Sequence, residues 1–103
     1  MDSIQECMKM TSLGGEAKSL SLAAIKAARE GRFEEADEKL KAAKEALIKS
    51  HEAHTQLLRY DAENDDLRVT IFMVHAADHL NSAETIKALA EEFILLYKEI
   101  KHV

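Results

Sequence analysis

The chain has no proline and only three glycines. Nothing in its 103 residues therefore forces a run of tight turns, and an architecture of many short strands is excluded. It has no tryptophan, three phenylalanines and two tyrosines. Small aliphatic contacts must then do most of the packing. A single cysteine, Cys7, excludes an internal disulfide and suits a reducing compartment. No apolar run approaches the roughly 18 residues that a membrane span needs, and the first residues lack the basic-then-apolar pattern of a secretory leader. Excess positive charge is missing too. The net charge is −5, which argues against a surface built to meet phosphate backbones.

What is abundant is Ala, Leu, Lys and Glu, the composition of an all-α protein. The length suits one domain, residues 1–103, with a modest core. Ile4, Met8, Leu13, Ala17, Leu20, Ala24 and Ala27 recur at mostly helical spacing and predict a first helix over residues 1–30. Gly14-Gly15 interrupts it. Two such glycines cost roughly 2 kcal/mol relative to alanines. The plain expectation is a bend or short break there, with a loose segment before it. The alternative is a close backbone contact that a Cβ would block. Gly31 suits the end of this helix.

A second run begins at about Arg32. Phe33, Ala36, Leu40, Ala43, Leu47, His51, His54 and Leu58 step by three and four, with Glu and Lys between them, so an amphipathic helix is expected. The short connection makes the first two helices antiparallel neighbours. Glu63-Asn64-Asp65-Asp66 breaks the pattern. Asn64 tolerates a left-handed backbone, and Asp65 or Asp66 can cap the next helix. That third helix is expected from about Leu67 to Lys101, apolar on more than one side and so buried. Two partner helices do not suffice to cover it, and self-association through this helix is expected.

The chemistry concentrates at Val74-His75-Ala-Ala-Asp78-His79-Leu80. Residues three and four apart share a helix face, so His75, Asp78 and His79 project together from an apolar context. Three readings are open on the residues alone. One is a satisfied polar seam in a bundle. Another is a metal site, with His51 and His54 supplying further ligands. The third is a nucleophilic histidine accepting a phosphoryl group. No Gly-rich phosphate loop and no nucleophile elbow is present. His51 and His54 fall on the expected buried stripe of the second helix, either as core polar groups or as a wall of the site. His102 is expected in solvent at the last turn, and Cys7 as a packing residue.

At Met73-Val-His75-Ala-Ala-Asp78-His79-Leu80 the chain resembles the enzyme IIA component of the lactose/cellobiose-type sugar phosphotransferase system, whose signature runs roughly His-Ala-Gln-Asp-His-Leu-Met. Gly15-Glu-Ala-Lys-Ser19 is similar to its Gly-x-Ala-Lys/Arg-Ser segment, and Ala27-Ala-Arg-Glu-Gly31-Arg-Phe33-Glu-Glu-Ala36 to its Ala-x-x-Gly-Asp-Phe-x-x-Ala turn. Ser50-His51-Glu-Ala-His54-Thr55-Gln-Leu57 stands where the family has Ala-His-x-x-Gln-Thr-x-Leu. The likeness implies an antiparallel three-helix bundle assembling as a homotrimer in the cytoplasm. It implies a phosphocarrier in which His75 takes a phosphoryl group from the histidine-containing phosphocarrier protein. A cysteine of a sugar-specific IIB component then receives it, for uptake of a disaccharide such as lactose, cellobiose or diacetylchitobiose. It also implies Asp78 near a threefold axis, helping to hold one Mg²⁺ per trimer. The chain departs from the pattern at Ala77 and His54 (Gln in both places), Asn81 (Met), Arg32 (Asp) and Asn64 (Gly). A histidine at 54 offers the phosphoryl group a hydrogen bond or a charge. The rival from another class is a non-catalytic metal-binding or structural helical trimer.

Overall fold

A computed structural model describes residues 2–102, the side chain of His102 excepted; the reading of that residue lies outside the described side chains. Three helices account for nearly all of it: α1 (Ser3–Arg29), α2 (Phe33–Asn64) and α3 (Ile71–His102). They form an antiparallel bundle about 58 Å long and 20 by 16 Å across. The core shows the up-down-up order. Cys7 and Met10 pack with Ala53, Leu57, Ala76 and Leu80 at one end. Ala17 meets Ala46 and Ala83 in the middle. Ala24, Ala27 and Ala28 meet Ala36 and Ile94 at the other.

The ends are set locally. Asp2 Oδ1 accepts from the backbone N–H of Gln5 at 3.1 Å and starts α1. Gly31, at φ +84°, ends it. There the N–H of Arg32 reaches Ala27 O and that of Gly31 reaches Ala28 O, which satisfies two terminal carbonyls. Arg32 then lies between the carboxylates of Glu30 and Glu35.

Three expectations are corrected. First, α1 does not break at Gly14-Gly15, and the segment before the pair is helical from Ser3. Gly14 is buried, on the same face as Cys7, Met10, Ala17, Ser21 and Ala24. A Cβ on it would lie 3.3 Å from the carbonyl carbon and oxygen of His79 and 3.4 Å from the nitrogen of Leu80, whereas one on Gly15 meets nothing within 4 Å. The cost of glycine at 14 is offset by the close approach of α1 and α3. Second, the left-handed residue after α2 is Asp65 (φ 52°), not Asn64, whose side chain instead donates to Tyr60 O at 3.0 Å. Third, α3 starts at Ile71 rather than near Leu67, because Leu67 is drawn into the core end and Thr70 supplies the cap. Thr70 Oγ1 accepts from the N–H of Met73 at 3.2 Å.

As expected, two partner helices leave α3 partly uncovered. The helix at the centre of the single chain is α1, whose small buried residues Gly14, Ala17, Ser21, Ala24 and Ala28 let both neighbours approach. Within one chain α3 keeps a whole face outside. Ile71, Val74, Asp78, Ser82, Thr85, Leu89, Phe93, Leu96 and Ile100 succeed one another in steps of three and four along its outward side. The large residues of this stripe are far from buried: Ile71 is 88% exposed, Leu89 52% and Leu96 48%. Among the described residues no helix is long and apolar enough to cross a membrane.

Candidate functional site

The second and third turns of α3 carry His75, Asp78 and His79. Its rotation is fixed from behind. Ala76 and Leu80 are buried against α1, and Gly14 lets the α1 backbone sit directly on the peptide between His79 and Leu80. His75 and Asp78 are thereby held on the outer side of the helix, His75 exposed and Asp78, like His79, outside the core. The rings of His75 and His79 lie edge to face, with centroids 4.5 Å apart and planes at 67°. Asp78 falls within the outward apolar stripe, with Val74 one turn before it and Ser82 one turn after. The motif thus gives an accessible imidazole, a second imidazole beside it, and a carboxylate aimed away from the bundle.

The helix-two histidines do not join this group. The expected stripe through His51, His54 and Leu58 is displaced by one position. Ser50, Ala53 and Leu57 are buried instead. An imidazole in the core needs polar partners, whereas Ser50 is small and donates to Met10 O at 3.0 Å. His51 is exposed and pairs across the seam between α2 and α3 with the carboxylate of Glu84. His54 is half-buried in a different place. It lines a groove of about 260 Å³ with Met10, Leu58, Asp61, Val74 and Ala77. Ala77 is two residues from His75, hence about 200° around the helix. Within one chain His54 and His75 are therefore on opposite flanks of α3, and His54 forms no wall of the site around its own His75.

Cys7 is buried, and burial pushes its thiol above the usual range, with Glu6 adding to the shift. That fits the packing role expected of it. No three His, Cys, Asp or Glu side chains converge on a metal-sized site within one chain among the described residues. Asp78 offers one carboxylate. An ion there would need carboxylates from other copies. The contribution of Gly14 was open in the sequence, and the signal that selects it over Gly15 is its phase with Met10, Ala17, Ser21 and Ala24.

Comparison with known proteins settles the family. Residues 5–98 match the model of the phosphotransferase system's lactose/cellobiose specific IIA subunit. The chain belongs to that family. It is 44% identical over 87 residues to the lichenan-specific phosphotransferase enzyme IIA component of Bacillus subtilis, covering 84% of this chain and 79% of that protein. Over 87 residues it is 34% identical to the N,N'-diacetylchitobiose-specific EIIA component of Escherichia coli, with coverage of 84% and 75%. The fold matches the crystal structure of the cellobiose specific enzyme IIA from Bacillus anthracis with a TM-score of 0.94 and 34% identity, over 99% of this chain and 94% of that one. The resemblance drawn from the motif is borne out, as is the all-helical three-helix architecture. As a IIA component the chain is a phosphotransferase component of a sugar transport system.

Proposed function

We propose that this chain is a cytoplasmic phosphocarrier in which His75 is the phosphoryl acceptor. The observation that carries the reading is the presentation of His75: exposed, on a rigid helix, in the family's motif, with His79 edge-on at 4.5 Å. The donor is the histidine-containing phosphocarrier protein with its own phosphohistidine. A neutral imidazole nitrogen of His75 attacks phosphorus in line. The P–N bond to the donor ring breaks as the new one forms, and the electron pair leaves with that ring. Charge spreads over three equatorial oxygens, so positioning and hydrogen-bond donors supply the rate. His79 is placed to give one such donor. A IIB cysteine thiolate then takes the group by the same displacement, and the chain never touches the sugar. Uptake of a disaccharide of the lactose, cellobiose or diacetylchitobiose class is the end served.

The assembly that fits is a homotrimer through the outward face of α3. A stripe of this length, interrupted only by Asp78, Ser82 and Thr85, is a surface that water covers poorly. Its spacing is close to 3.6, so the three helices would pack nearly straight. Three Asp78 carboxylates then meet on the axis, where their mutual repulsion calls for protons or a hard cation with oxygen ligands such as Mg²⁺. The ion would contribute to holding the trimer together. The relay itself is tested by loading the chain from phosphoenolpyruvate, enzyme I and the phosphocarrier protein, then adding a IIB domain. Appearance of a phosphocysteine on IIB with loss of label from this chain supports the reading. A loaded chain that cannot discharge to any IIB domain contradicts it.

A further inference from the structure

His54 is left without a role by the single chain. It and Ala77 both depart from the family's glutamines, lie 23 positions apart in sequence, and line one groove. The described residues lining that groove are otherwise Met, Leu, Val, Ala and Asp61, so His54 alone brings a side-chain hydrogen-bond donor to it. The groove lies at the level of His75, since Val74 and Ala77 belong to both neighbourhoods. Its flank is the α2 side of α3, while His75 is on the other side of the outward stripe.

The inference rests on the trimeric assembly proposed for the outward face of α3. A closed ring of three identical chains about an axis along α3 is necessarily parallel, and its contacts are heterologous: one flank of each copy meets the opposite flank of the next. The flank carrying His75 and His79 therefore meets the flank carrying Val74, Ala77 and His54, at the same height. We propose that His54 of one copy donates a hydrogen bond to the phosphoryl group on His75 of the next copy. The alanine at 77 leaves room in front of the imidazole that a glutamine would occupy. The phosphoryl oxygen gains a donor, and no proton or bond changes hands at His54.

Mixed trimers test this. Chains carrying His75→Ala and chains carrying His54→Ala are co-expressed with different tags, and assemblies holding both are isolated and phosphorylated by the phosphocarrier protein. The His54→Ala homotrimer is expected to load about tenfold more slowly than the parent, the factor that 1.4 kcal/mol corresponds to. His54→Gln, which keeps an N–H donor, is expected to restore most of the rate. In a trimer with one His75→Ala chain, one of the two remaining His75 residues faces an intact His54. With two such chains, the only His75 does. The mixed trimers are thus expected to show a fast-loading fraction at the parent rate. Uniformly slow loading would place the effect within one chain and overturn the proposal, as would a His54→Ala homotrimer that loads at the parent rate. Sedimentation of the parent as a monomer would remove the assembly reading itself, a failure distinct from a trimer that does not complement.

Discussion

Alanine at position 14 and alanine at position 15 should have opposite effects, although both replace glycine in the same helix turn. Each substitution gains about 1 kcal/mol of helix propensity. At Gly15 nothing lies within 4 Å of the new Cβ, so the gain is uncompensated. At Gly14 the Cβ would stand 3.3 Å from the His79 carbonyl and 3.4 Å from the Leu80 nitrogen. These are backbone atoms on a packed helix and yield only if α3 shifts, and such overpacking costs about 1–3 kcal/mol. The two variants should therefore differ by about 1–3 kcal/mol in favour of Gly15→Ala, at about 4–8 °C in Tm per kcal/mol for a chain of this size. Thermal unfolding measured by circular dichroism, at one fixed protomer concentration so that assembly does not bias the comparison, reads this directly. Because the strain falls on the turn that carries the histidines, Gly14→Ala should also slow phosphoryl uptake while Gly15→Ala leaves it unchanged. A Gly14→Ala protein as stable as Gly15→Ala would refute the close-approach account of α1 and α3.

Ser50→Ala removes a buried hydrogen bond to Met10 O. Chemical denaturation should show a loss of about 0.5–1.5 kcal/mol, since that carbonyl is also part of the α1 ladder. Cys7, buried and with its thiol pushed up, should resist a thiol reagent at about pH 8 in the native protein and react at once in denaturant; rapid labelling of the native chain would mean that the core end around Met10 and Leu57 opens freely. Arg32 holds the carboxyls of Glu30 and Glu35 below their ordinary range. A depressed carboxyl contributes stability above its unfolded pKa that disappears as pH falls through the folded one. Arg32→Ala should therefore be slightly less stable than the parent at neutral pH and equal to it in acid, and a deficit that persists in acid would assign Arg32 a packing role instead.

The helices were legible in the sequence because three long periodic runs are separated by two strong local signals, Gly31 and the Asn64–Asp66 cluster. Their exact ends were not. Leu67 reads as the first apolar residue of a helix, yet the pull of the core on its side chain outweighs helix continuity, and Thr70 takes the cap. The motif residues were legible as a group, since i, i+3 and i+4 spacing alone puts His75, Asp78 and His79 together. The helix-two histidines were misplaced for a physical reason. A stripe counted by threes and fours is ambiguous by one residue when Ser50 and Ala53 lie next to His51 and His54, and the smaller, better satisfied pair goes inside. Periodicity also marks α3 as apolar all round without saying which side its own chain covers. That answer depends on α1 being lined with glycine, alanine and serine, so that it becomes the central helix and α3 keeps its outward stripe.

The relay proposed for this chain depends on His75 carrying the phosphoryl group. The most direct measurement is intact mass after incubation with phosphoenolpyruvate, enzyme I and the phosphocarrier protein, with His75→Ala in parallel and a IIA protein of known activity as the positive control. One added phosphoryl group per chain, stable in base, labile in acid and absent from His75→Ala, is the predicted result. An adduct that survives in His75→Ala, or a parent chain that stays unmodified while the control protein is labelled, would contradict it.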